Sequence, residues 1–82
     1  MSKDITKDTL LKAGFIDTSG NAFKLFIEGG YIILQYVQQP FGRCWRCSVD
    51  NNNDMCTADI QTIDHFNKLM ELMNIDFKLK EE

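Results

Sequence analysis

The chain has no long apolar run. Its longest, Tyr31–Leu34, falls far short of the roughly 20 residues that cross a bilayer as a helix. The opening residues, Met1-Ser2-Lys3-Asp4, hold no apolar leader core, so the cytoplasm is the expected compartment and no membrane is expected as a partner. No Asn-x-Ser/Thr sequon is present. Cysteine is scarce and odd in number: three thiols cannot all pair within one chain, which favours a reducing compartment. Positive charge is also in deficit. Nine basic residues against twelve acidic ones give a net charge of −3, which disfavours nucleic acid, whose phosphates call for a basic surface.

Catalytic equipment is equally sparse. His65 is the single histidine, and spacing fixes no serine or cysteine beside it, so no triad or dyad is built. Gly29-Gly30 lies in a hairpin rather than before a helix and therefore forms no phosphate loop. These absences point away from an enzyme, and no cofactor is expected.

What remains describes a small folded domain. Eighty-two residues, 44% hydrophobic and 26% charged, make one unit spanning 1–82. A chain of this size buries only about 60–65% of its unfolded surface, so its core is adequate rather than generous.

Residues 22–50 organise it as a three-stranded antiparallel meander. Gly29-Gly30 is a two-residue hairpin signal, because both glycines can take the positive φ of a type I′ turn. That turn predicts pairs whose numbers sum to 59: Phe23 with Tyr36, Leu25 with Leu34 and Ile27 with Ile32. Gln39-Pro40-Phe41-Gly42 predicts a four-residue loop with pairs summing to 81: Tyr36 with Trp45, Leu34 with Cys47 and Ile32 with Val49. Both registers place the same apolar side chains on one face, whereas a one-residue slip would turn all of them over.

Two helices are expected on that face. Thr6 caps the first, Ile5 can staple onto Leu10, and Gly14-Phe15 forms a Schellman stop. Asp17-Thr18-Ser19-Gly20-Asn21 reads as a turn, and Asn51-Asn52-Asn53-Asp54 as a polar loop. Met55–Ile60 reads as an extended segment or an edge strand. Thr62 caps the second helix, whose stripe is Ile63, Phe66, Leu69, Met70 and Met73. The tail from Ile75 to Lys80 alternates apolar and polar residues. The expected fold is therefore two-layer α+β: strands at about 22–28, 31–38 and 43–50, with helices at about 7–13 and 63–74 on one face.

Two constellations have the residue types of metal sites. Cys44, Cys47, Cys56 and His65 could form a Cys₃His zinc set, the basis of an alternative reading as a small metal- or ligand-binding protein. On a strand, however, residues three apart face opposite ways, so Cys44 and Cys47 should diverge. A redox role would need the pair at a helix N-terminus, and no helix begins there. Asp50-x-Asn52-x-Asp54 opens like a calcium loop, but Met55 replaces its turning glycine and Gln61 its bidentate glutamate. The expectation is no metal.

The second sheet face is the more informative surface. By the same registers it carries Phe26, Tyr31, Ile33, Val37, Cys44 and Arg46 as candidate partner-binding residues, with Lys24 and Glu28 around them. The pairs Phe26–Ile33 and Val37–Cys44 would give it an apolar centre, the composition of an interaction surface for a protein partner or a second copy. Its competitor is that Phe77 and Leu79 of the tail fold over this face. A nucleic-acid reading would use Arg43, Arg46, Trp45 and Tyr31, against the acidic balance and a core position for Trp45.

The layout Ile5-Thr6-x-x-x-Leu10-x-x-x-Gly14-Phe15, strands, Thr62-Ile63-Asp64-x-Phe66-x-x-Leu69 and Met73-x-Ile75 resembles small uncharacterised α+β proteins of bacterial phages and mobile elements. Cys44 and Cys47 depart from that pattern. The resemblance implies an accessory protein that inhibits or modulates a host protein, and it supplies no catalytic residues.

Overall fold

A computed structural model of the chain describes residues 3–19, 21–40, 42–52 and 54–80. Gly20, Phe41 and Asn53 of the expected turns, and the ends 1–2 and 81–82, lie outside the described residues. The elements run α1 (Lys7–Lys12), β1 (Ile16–Ser19), β2 (Ala22–Ile27), β3 (Gly30–Gln39), β4 (Gly42–Asn51), β5 (Asp54–Ile60) and α2 (Ile63–Leu72). The fold is α+β, as expected, but its antiparallel sheet has five strands rather than three, in the order β1-β2-β3-β4-β5.

Both additional strands flank the expected meander. In β1 all four residues are exposed, so no apolar alternation betrays it, and Asp17-Thr18-Ser19 has a turn composition. β5 is the edge strand that 55–60 suggested, starting one residue earlier because Asn51 pairs with Asp54 across a two-residue turn. Asn52 takes φ +50 in that turn.

The β3–β4 register is as expected, with Tyr36 opposite Trp45, Leu34 opposite Cys47 and Ile32 opposite Val49. Its connection is tighter, since Gln39 already pairs with Gly42. The β2–β3 register is shifted by two residues: Phe23 pairs with Leu34, Leu25 with Ile32 and Phe26 with Tyr31. The turn is Glu28-Gly29, with positive φ at Gly29 alone, and Gly30 belongs to β3. Gly30 is held there by crowding, because a Cβ would stand 1.7 Å from the Asp50 carbonyl oxygen of β4. A shift of two preserves which side chains face the core, because the side-chain period is also two.

Both helices begin at the expected caps. Thr6 Oγ1 accepts the Thr9 N–H at 3.1 Å and Thr62 Oγ1 accepts the His65 N–H at 3.2 Å. α1 stops one residue short of expectation, where Gly14 (φ +105) turns left-handed and the Phe15 N–H donates to the Leu10 carbonyl. α2 ends at Leu72 rather than 74 through the same motif. Asn74 takes φ +58 at the left-handed position, and the Ile75 N–H donates to the Met70 carbonyl. Asparagine tolerates that conformation better than other side-chain-bearing residues.

The core lies between one sheet face and the helical layer. Phe23, Ile32, Leu34, Trp45, Cys47 and Val49 are buried there, with Leu10, Phe15, Ile63, Phe66 and Met70 opposite. Residues beside the first cap close the domain. The Ile5 N–H donates to the Gln61 carbonyl, the Ile63 N–H to the Lys3 carbonyl, and the buried Trp45 Nε1–H to the Ile5 carbonyl at 3.0 Å.

The tail joins this core instead of the second sheet face. The Phe77 ring packs edge-on against Phe15 and Phe66, each at 6.0 Å. Leu79 is buried, and its N–H and C=O are both held by the Asn67 side-chain amide, at 2.8 and 3.1 Å. The competing expectation that 77 and 79 cover the open face is thereby overturned. A single half-buried helical amide satisfies two backbone groups that a strand would otherwise pair.

Candidate interaction face

The sheet face turned away from the helices is assembled by register. Cross-strand partners share a face, so Phe26, Tyr31, Asp50 and Met55 form one row across β2, β3, β4 and β5. Ile16, Lys24, Ile33, Ser48 and Thr57 form the next, and Ala22, Gln35, Arg46 and Asp59 a third. Val37 and Cys44 pair at the far end, as expected.

The expected pair Phe26–Ile33 does not form. With the turn at Glu28-Gly29, Phe26 stands opposite Tyr31, and Ile33 stands opposite Lys24. The candidate residues thus divide. Tyr31, Ile33, Val37 and Cys44 are half-buried along β3 and β4, whereas Phe26 projects from the turn end with 66% of its surface exposed. Two apolar residues that the three-strand expectation omitted share the face: Met55 on β5, 79% exposed, and Ile16 on β1, 56% exposed. Met55 was legible by continuing the hairpin count across Asn52-Asn53. Ile16 carried no comparable signal.

The charges on this face are mutually placed. The Lys24 ammonium lies 4.8 Å from the Phe26 ring centroid and 4.4 Å from that of Tyr31, bridging the two rings as a cation–π contact. Such contacts hold an exposed aromatic in one orientation. Arg46 Nε lies 3.2 Å from Asp59 Oδ1, an exposed ion pair worth well under about 1 kcal/mol. Lys24 and Arg46 therefore keep their charge available at the surface while fixing local geometry.

The three thiols do not converge. Cys44 pairs with Val37 on the open face, while Cys47, opposite Leu34, is buried in the core. Cys56 pairs with Val49 on the core side. Burial, reinforced by the neighbouring Cys56, pushes the Cys47 thiol from 9.0 up to about 12. His65 is exposed on α2, with its backbone committed to the Thr62 cap. Among the described residues, no group of three histidine, cysteine or acidic side chains is gathered as a metal would require. Asp50, Asn52 and Asp54 belong to the β4–β5 hairpin.

No helix is long and apolar enough to cross a membrane among the described residues. Compared with protein-family models, curated proteins and solved structures, the chain finds no match, so any reading of its function rests on the geometry of this face.

Proposed function

We propose that this chain is a non-enzymatic interaction module that captures a protein partner through the open sheet face. The observation that supports it most is the row Phe26–Tyr31–Asp50–Met55, with both ends strongly exposed and apolar on a sheet face the core does not use. Soluble domains rarely leave aromatic and aliphatic side chains clustered in this way without a use for them. Aromatic anchors flanked by charge are also where binding energy concentrates. Phe26, Tyr31 and Met55 supply contact area. Ile33 and Val37 extend it along β3, and Cys44 and Arg46 along β4. Inhibition or modulation of a host protein is the version of this function that the layout's resemblance implies.

Phe26→Asp tests it. Phe26 is mostly exposed, so the variant should fold and melt close to wild type, within the roughly 0.5 kcal/mol typical of surface substitutions. Capture of partner from the native host, read by affinity isolation, should be lost, and any self-association seen by sedimentation should go with it. Arg46→Ala should weaken capture less and reduce its salt sensitivity. A Phe26→Asp protein that captures the same partner as wild type would remove this face from consideration.

A further inference from the structure

On the helical side, sharing no residue with the open face, lies a groove of about 620 Å³ between the N-terminal segment, α1, the start of α2 and the tail. That volume is in the range of small-molecule sites. Its charge is unusual for this chain. Among the described residues, Lys3, Lys12, Lys78 and Lys80 line it together with Asp4 and Asp8. Four of the nine basic residues thus gather in one concavity of a protein whose net charge is −3. Ala13 and the buried Ile63 add apolar lining. Lys12 pairs with Asp8 at 3.4 Å and Lys78 with Glu71 at 3.2 Å, but both pairs are largely solvent-exposed. Exposed pairs of this kind are weak and are readily exchanged for a more highly charged anion.

We propose that this groove binds a small organic polyanion, its charges distributed over the four lysines and its body resting against Ala13. Four lysines around one concavity raise the local positive potential and so draw anions toward it. The apolar lining and the volume favour an organic anion over an inorganic one.

The test is calorimetric titration of the whole chain with ATP, citrate, inorganic pyrophosphate and uncharged adenosine, followed by amide chemical shifts. ATP or citrate should bind saturably, shifting the amides of Thr6, Thr9, Ala13 and Ile63. Comparing the two separates a phosphate-bearing from a carboxylate-bearing ligand. Lys12→Gln with Lys80→Gln should weaken binding at least about tenfold, and Asp8→Asn should tighten it. Lys24→Gln, on the opposite face, should leave it unchanged. Circular dichroism melts establish that each variant is folded. The proposal is overturned if neither ATP nor citrate binds below about 1 mM, or if the double lysine variant binds as wild type does. Pyrophosphate binding as tightly as both organic anions would equally overturn it.

Discussion

Alkaline pH should destabilise this protein through one buried thiol. Cys47 is fully buried, and its folded-state value near 12 lies well above the 9.0 of an unperturbed thiol. Because the folded value is raised, the folded chain keeps its proton where the unfolded chain releases it. Stability is then fully present below about pH 9 and is lost as pH rises toward 12. At pH 10 an unfolded thiol is about nine-tenths ionised while the folded one is almost wholly protonated. The linkage cost is RT ln(1 + 10), about 1.4 kcal/mol, against almost nothing at pH 7.5. Urea denaturation of wild type and Cys47→Ala at both pH values isolates this contribution, since every other titrating group is common to the two proteins. The alanine variant starts less stable, having lost a buried sulfur, but should lose about 1.4 kcal/mol less between the two pH values. Equal alkaline losses in both proteins would refute the reasoning, because they would mean Cys47 ionises in the folded state as it does in the unfolded one.

Two further outcomes test the sheet. Leu34→Ala, at a fully buried position between Phe23 and Cys47, should cost about 2–5 kcal/mol by chemical denaturation, and a near-neutral result would contradict its place in the core. Gly30→Ala should cost about 3 kcal/mol or more, because the new methyl meets the Asp50 backbone and has no flexible neighbour to displace. Full retention of stability would mean that β3 and β4 are not so closely apposed at that end.

Legibility in the sequence followed the strength of the local rule. The core face of β2–β4 was readable because alternation has period two, and even the misplaced β2–β3 turn left it intact. That turn was misplaced because composition cannot say which of two adjacent glycines is needed for positive φ and which for close backbone approach. Gly29 serves the first need and Gly30 the second. β1 is not legible because its side chains are all exposed, and neither, for the same reason, is Ile16 of the candidate face. The tail's alternation announced one buried side at Phe77 and Leu79 without naming the layer. Asn67, a polar residue on a helix flank, made that choice. The candidate face was legible as a set of residues, but its row structure depends on long-range pairing.

The order of the strands has a consequence for how the chain reaches this structure. Each strand pairs only with its neighbours in sequence, so the sheet can zip together by successive hairpins, each an event of about 1–10 microseconds. The meeting of the N-terminal segment with the sheet is different. The Trp45 indole reaches the Ile5 carbonyl across 40 residues, and closing a flexible loop of that length costs about 3.3 kcal/mol beyond the fixed term. Nothing compensates that cost until the hairpins exist, so the strap beside Trp45 is expected to fasten last on folding. By the same reasoning it should be the first to release, which makes residues 3–5 a determinant of how long the folded molecule survives rather than how quickly it forms.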